Sequence, residues 1–408
     1  MTPFRVAYLV SHPIQYQAPF LRRLAAHPHI RLQVFFMDDR GAGTYPDPEF
    51  GVAVQWDIPL LEGYPWRVLR NRSPWRDGAH GLRFVHPDIL GILRRERYDA
   101  LIVHGYTHAT EWMASAAARL TRTPLLLRGE STLLGRLPSW QGALKRRVRA
   151  ALFRQVQGVL AIGTLNRAFY RAHGIPENRI FFTPYAVDND RFLTEAQRFR
   201  GRKEELRAQL GWPAGRPVIL VAGKLIPRKR PRDVLDAYAV LVRDIPSTLV
   251  FLGEGSERLP LEAAAAQRGL AGMHITGFVN QSEISRYYAA ADVLVQASDY
   301  ETWGLTVNEG MCFGLPIVAS DMVGAAFDLV RPGENGFVYP VGDVPALARA
   351  LRGVLSDPAG RARMGGRSRE LVAAYSYEAD VRGVLEALRA VARPGMDVRG
   401  RAPTEGTA

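Results

Sequence analysis

Cysteine is almost missing from this 408-residue chain. The single residue Cys312 rules out an internal disulfide framework and any cluster of cysteine metal ligands. Its neighbours Met311 and Phe313 fit a buried, inert thiol better than a nucleophile. Lysine is nearly as scarce: only Lys145, Lys203, Lys224 and Lys229 occur, so the net charge of +13 rests almost wholly on arginine. Long apolar runs are lacking too. None approaches the roughly 20 residues that span a bilayer. The first run, residues 6–10, stops at Ser11-His12-Pro13, too short for a signal-peptide core, so a cytoplasmic location is expected. No helix-turn-helix, zinc or RNA-binding signature accompanies the basic charge, and no nucleic-acid partner is expected. Acidic residues vanish from Ser131 to Pro176, where Arg136, Lys145, Arg146, Arg149, Arg154, Arg167 and Arg171 lie. Leu144, Val148, Leu152 and Val156 recur there at four-residue steps. A basic amphipathic helix of this kind fits peripheral contact with an anionic membrane through residues 136–171, a phosphate-bearing acceptor, or an ordinary helix packed on its sheet.

What is present points to two units of similar size, since 408 residues exceed one typical core. Apolar runs at 5–10, 32–37, 100–103, 124–127, 158–162 and 180–183 alternate with helical patterns, the rhythm of a parallel sheet wrapped by helices. The rhythm restarts at 217–221, with a helix over 232–242 and a strand over 247–252, a βαβ unit. Between them, 188–217 is polar and reads as an interdomain segment holding one short helix. No repeat or low-complexity tract appears before the Pro/Gly/Thr-rich tail.

The densest chemistry lies at 299–310. A buried strand over 292–297 leads into a loop carrying Glu301, and Gly304 opens a helix carrying Glu309. In an open α/β sheet ligands bind at the carboxyl ends of strands, and a helix N-terminus offers free N–H groups to phosphate. Two acids flanking such an end suit a ligand with hydroxyls on both sides of a diphosphate; two solvated glutamates are the plain alternative. Gly223-Lys224, with Lys229, follows the strand at 217–221. In an arginine-rich chain, two lysines at a strand end suggest point charges placed for diphosphate oxygens. Gly253-Glu254-Gly255 follows the next strand but lacks the third glycine of a dinucleotide fingerprint, so a Rossmann cofactor is not expected. Gly277-Phe278-Val279 would offer an apolar wall and backbone groups to a flat base.

The series Gly223-Lys224-Leu225 with Lys229, Gly253-Glu254-Gly255, Gly277-Phe278-Val279, Glu301-x-x-Gly304-Leu305 with Glu309, Gly314, Pro316 and Gly336-Phe337 resembles the GT4 family of retaining glycosyltransferases. Pro184-Tyr185-Ala186-Val187-Asp188 looks like that family's segment joining its domains. The resemblance implies an α/β GT-B architecture, two facing Rossmann-like parallel-sheet domains with a cleft between them. Residues 1–190 would form the acceptor domain and 191–377 the nucleotide-sugar domain. A helix over 378–394 would cross back to the first, and 395–408 would be a disordered tail.

It also implies a reaction: transfer of a sugar from a nucleoside diphosphate sugar to a glycan or glycolipid hydroxyl, with retention and without a metal or other cofactor. No Asp-x-Asp site stands beside a nucleotide loop. Glu309 would bind the ribose hydroxyls, Lys224 and Lys229 the diphosphate, and Glu301 a donor-sugar hydroxyl. Backbone groups at Gly304, Leu305 and Thr306 would stabilise the leaving group, with Gly223, Val279 and Gly253 completing the donor site. Lys224 stands where the family usually has arginine. The first half departs further: in place of a glycine-rich loop it has Ser11-His12-Pro13-Ile14-Gln15-Tyr16, making His12, Gln15 and Tyr16 acceptor or donor candidates. The family's histidine after a later strand has no clear counterpart; His104, Arg128 or Glu130 could take its place. A 2-epimerase or phosphorylase of the same architecture, or a non-catalytic basic lipid- or polyanion-binding protein, are the competing readings.

Overall fold

A computed structural model describes residues 2–47, 49–75, 81–134, 147 and 149–392. The strands are β1 (Phe4–Val10), β2 (Ile30–Phe36), β3 (Tyr45–Asp47), β4 (Val52–Val54), β5 (Trp66–Val68), β6 (Ala100–His104), β7 (Leu125–Arg128), β8 (Gly158–Ala161) and β9 (Ile180–Phe182) in the first half. The second half holds β10 (Val218–Ala222), β11 (Thr248–Leu252), β12 (Met273–Ile275), β13 (Val293–Gln296), β14 (Ile317–Ser320) and β15 (Gly336–Tyr339). They form a seven-stranded sheet in the order β5-β2-β1-β6-β7-β8-β9, a six-stranded sheet in the order β12-β11-β10-β13-β14-β15, and the hairpin β3-β4. Every pairing in the two large sheets is parallel.

The expected α/β architecture of two parallel sheets is therefore present. Val218-Ile219-Leu220-Val221-Ala222 and Thr248-Leu249-Val250-Phe251-Leu252 are buried throughout, because central parallel strands are covered on both faces. Each sheet has an apolar cluster on either side. Strand order reverses beside β1 in one sheet and beside β10 in the other, and a crevice opens at such a switch point beyond the strands' carboxyl ends. The two crevices place the segments after Val10 and after Ala222 at the cleft.

Two features depart from the sequence expectation, and a third is seen only in part. The segment 188–217 holds two helices, Asn189–Arg198 and Lys203–Gln209, not one. The second is tied down by Arg207, whose guanidinium pairs with buried Asp292 at the start of β13. The strands β3, β4 and β5 were not expected; each is three residues long and largely exposed, so none carries a buried apolar run. The amphipathic basic helix is described only in part: residues 149–153 are helical, and Leu152 and Val156 are buried in the sheet's core, whereas Leu144 and Val148 lie outside the described residues. The tail 395–408 also lies outside them.

The helix Tyr377–Val391 is capped by Ser376, whose hydroxyl accepts from the Ala379 N–H. It packs Val381, Val384, Leu385 and Leu388 into the core of the first sheet. Cys312 is buried at the end of the helix Leu305–Cys312. Among the described residues no helix is long and apolar enough to cross a membrane.

Candidate active site

Four strand ends of the second half meet the first half around a cavity of about 360 Å3. That volume suits a small-molecule site. Gly223 follows β10 and donates its N–H to the Leu252 carbonyl (3.0 Å). Beside it, Gly253 approaches so closely that a methyl group there would overlap the Gly223 carbonyl oxygen, so this pair of loops needs glycine for steric reasons. Gly304, at φ +104°, turns the chain into the helix Leu305–Cys312. Its left-handed backbone aims the helix N-terminus at the cavity, where the N–H groups of Leu305 and Thr306 precede the first acceptor of the helix. The Thr306 hydroxyl is held by the Gln296 side-chain oxygen at 2.8 Å.

Of the donor-side residues expected from the sequence, Gly223, Lys229, Gly253, Val279, Glu301, Gly304, Leu305, Thr306 and Glu309 all line this cavity. The Glu301 carboxylate pairs with the Lys229 ammonium, and lies 3.7 Å from the Arg228 guanidinium and 3.3 Å from the Ser298 hydroxyl. Glu309 accepts from the Tyr288 hydroxyl. Burial raises its carboxyl above the ordinary range, and the Tyr288 hydrogen bond and the charge of Arg191 offset only part of that rise.

Lys224 is placed elsewhere. Its ammonium reaches across to the first half, 3.0 Å from an Asp47 oxygen and 2.7 Å from Glu49, and sits 4.8 Å from the centre of the Phe50 ring. Two carboxylates outcompete solvent for it, so it is absent from the cavity wall where the sequence reading put it.

In the first half Gln15 and Tyr16 line the cavity, but His12, His104, Arg128 and Glu130 do not. His12 Nδ1 contacts the Ser11 hydroxyl at 2.9 Å, and burial together with nearby Arg40 lowers its pKa. His104 ends β6 inside a polar knot. Its Nδ1 lies 3.0 Å from the Tyr8 hydroxyl, and its Nε2 lies 3.3 Å from the Tyr185 hydroxyl and 3.5 Å from Glu130. Tyr185 also donates to Glu130. Burial pushes the Glu130 carboxyl up, but His104, Tyr185 and Arg128 together hold it below its ordinary value. The knot touches the cavity through Tyr16, whose ring meets Tyr185 edge-on at 5.7 Å.

Arg128 lies away from the cavity wall. Its guanidinium grips Asp380 of the helix Tyr377–Val391 with two hydrogen bonds of 2.9 and 2.7 Å, and both side chains are almost wholly buried. The rings of Phe20 and Tyr185 lie 5.0 and 5.2 Å from it. A partner 252 residues away left no trace beside Arg128 in the sequence.

Several cavity residues escaped the sequence reading. Arg191 lines the wall near Glu309 and is oriented by the Gln281 carbonyl (2.8 Å) and side-chain oxygen (2.7 Å). Its one signal was position, three residues after the joining segment that ends at Asp188. Phe50 and Trp56 come from the hairpin and the chain after it, where nothing in the sequence marked a site. Among the described residues no group of three or more His, Cys, Asp or Glu side chains gathers around a possible metal position.

Both halves of the chain are similar to known proteins. Residues 202–371 match the family described as "Glycosyl transferases group 1", and residues 13–186 match "Glycosyl transferase 4-like domain". The chain is 32% identical over 185 residues to the lipopolysaccharide core biosynthesis glycosyltransferase LpsE of Rhizobium meliloti, covering 45% of this chain and 52% of that protein. It is 35% identical over 191 residues to the 2-deoxystreptamine glucosyltransferase of Streptomyces kanamyceticus, covering 46% and 48%. These matches span about half the length of the two relatives. In fold it is similar to Anabaena Alr3699/HepE in complex with UDP and glucose, with a TM-score of 0.71 at 20% identity over 95% of this chain and 99% of that one. A glycosyltransferase from Rickettsia africae superposes with a TM-score of 0.75 at 16% identity, covering 97% and 100%.

Proposed function

Because the chain belongs to the glycosyl transferases group 1, we propose that it moves a sugar from a nucleoside diphosphate sugar to a hydroxyl of a glycan or glycolipid acceptor. The observation that carries this reading is one cavity lined together by Glu309, by Lys229 with Glu301, and by the N-terminus of the helix between the two acids. Glu309 accepts from ribose hydroxyls. Lys229 and the first-turn N–H groups around Leu305 and Thr306 face the diphosphate, and Glu301 takes a hydroxyl of the sugar. Gln15 and Tyr16 face the same space from the first half and meet the acceptor or the sugar.

Transfer breaks the bond from the anomeric carbon to the diphosphate oxygen and forms a bond to the acceptor oxygen. We infer retention, with attack from the face the diphosphate leaves and the acceptor proton passing to a leaving phosphate oxygen. Positive charge from Lys229 and preorganised N–H groups builds where negative charge develops, the usual source of such rate enhancement. The family resemblance favours transfer without a metal. On this reading residues 1–190 hold the acceptor and 191–377 the donor, and the basic segment 136–171 makes peripheral contact with anionic lipid at the inner side of a membrane.

The test is thermal unfolding of the full chain with UDP, GDP, ADP and dTDP, for wild type and Glu309→Ala. One nucleotide is expected to stabilise wild type, by about 2.7 kcal/mol at 100 times its dissociation constant, and Glu309→Ala is expected to lose at least tenfold in affinity. No shift with any nucleotide at millimolar concentration sinks the donor reading.

A further inference from the structure

The hairpin β3–β4 and the chain that follows it leave the first half and lie against the second. Asp47 holds Lys224 through both carboxylate oxygens, at 3.0 and 3.1 Å, and Glu49 adds a contact of 2.7 Å. Burial pushes the Asp47 carboxyl up, but the Phe50 N–H and Lys224 bring it below the ordinary range, as an ionised, paired group requires. Beyond Glu49 the Phe50 ring meets Phe278 nearly at right angles, with centres 5.2 Å apart, and Trp56 meets the same ring at 5.9 Å. The Gln55 carbonyl accepts from the Asn280 amide at 2.6 Å, and Asp57 accepts from the Ser282 N–H at 3.1 Å. The contacts converge on the loop at 277–282, which carries the wall that the sequence offered to a flat base. Phe50, Trp56, Phe278 and Val279 all face the cavity.

We propose that this strap completes the donor site from the opposite half: Phe50 and Trp56 close the base end of the cavity against Phe278, and Lys224 is a positioning residue that anchors the strap through Asp47 and Glu49. The inference rests on the donor reading above. Aromatic rings set edge to face present apolar walls along which a base can lie, and stacking of a base on such a ring adds to nucleotide affinity whatever the base. Placing two of the three rings on the other half means that a nucleotide contacts both halves before any acceptor arrives. Lys224, with its charge already met by two carboxylates, contributes to donor affinity through the strap and not through phosphate.

The test is calorimetric titration of the full chain with whichever of UDP, GDP, ADP or dTDP stabilises it most, alongside tryptophan emission. Phe50→Ala is expected to raise the dissociation constant about tenfold, with Phe50→Leu as a milder variant should the first not fold. Lys224→Ala and the pair Asp47→Asn with Glu49→Gln are expected to weaken binding alike, to combine sub-additively, and to contrast with a near-normal Lys224→Arg. The nucleotide-induced change in emission is expected to be largely lost in Trp56→Phe. Wild-type affinity in Phe50→Ala, or an emission change untouched by Trp56→Phe, overturns the aromatic wall. Tighter binding by the Asp47/Glu49 pair beside weaker binding by Lys224→Ala overturns the anchoring role, because the freed lysine would then be serving the diphosphate. Failure of the donor reading has a different signature: Glu309→Ala binds as wild type, or wild type binds nothing.

Discussion

Glu309 is a carboxylate whose surroundings work against its charge, and its ligand would work for it. Burial raises its pKa, with Tyr288 and Arg191 opposing. On the donor reading proposed above, ribose hydroxyls donate to the ionised form, so nucleotide affinity is expected to fall as pH drops, starting above the ordinary glutamate midpoint of about 4.3. Titrations between pH 7.5 and 5 check this, and Glu309→Gln should flatten the profile. Stability of the unliganded chain runs the other way. A raised folded-state pKa means that this group's contribution is fully present below the unfolded value and is lost as pH rises through the folded one. At this scale the sequence was legible wherever a residue's position in the chain decides its place. Glu301, Glu309 and Lys229 follow strand ends, and strand ends face the crevice. It was silent where a partner decides: Lys224 and Arg128 also follow or close strands, but Asp47, Glu49 and Asp380 draw them away.

The helix Tyr377–Val391 is fixed to the first sheet by one buried ion pair and an apolar face. Burial lifts the Asp380 carboxyl even with Arg128 acting against the rise, while Arg128 is held charged beside it. Such a pair adds little over apolar packing, but breaking it strands a buried charge. Asp380→Ala is therefore expected to destabilise the chain by about 3–5 kcal/mol, read as a lowered urea midpoint. Arg128→Met combined with Asp380→Leu should recover much of the loss. Elements of this kind were the most legible part of the chain. Central strands such as β10, β11 and β13 are continuous apolar runs because both faces are covered. Short exposed strands carry no such signature, and so β3, β4 and β5 were invisible although two of them form the hairpin that reaches Lys224.

Across the whole molecule, contacts between the halves gather in separate places. The strap joins them at the base end of the cavity. Elsewhere, Asp328 of the second half caps the first-half helix Thr164–Ala172, accepting from the Thr164 N–H (3.0 Å), its hydroxyl (2.6 Å) and the Tyr375 hydroxyl (3.0 Å). Asn308 donates to the Tyr185 carbonyl at 3.2 Å and accepts from the Trp303 indole at 2.9 Å. Asp328→Ala leaves three donors without their acceptor and should cost about 1–3 kcal/mol in urea unfolding. Because Asp328 lies outside the cavity wall, the nucleotide dissociation constant is expected to stay within twofold of wild type.

The solitary thiol has a practical corollary. Cys312 is fully buried, and burial lifts its pKa far above neutrality, so almost no thiolate forms and a maleimide finds nothing to attack. Cysteines placed at exposed Leu120 on the first-half helix Ala109–Thr121 and exposed Leu259 on the helix Arg258–Gln267 would accept a dye pair with the native thiol left in place. Energy transfer between the dyes would then follow one half against the other, molecule by molecule, through each turnover.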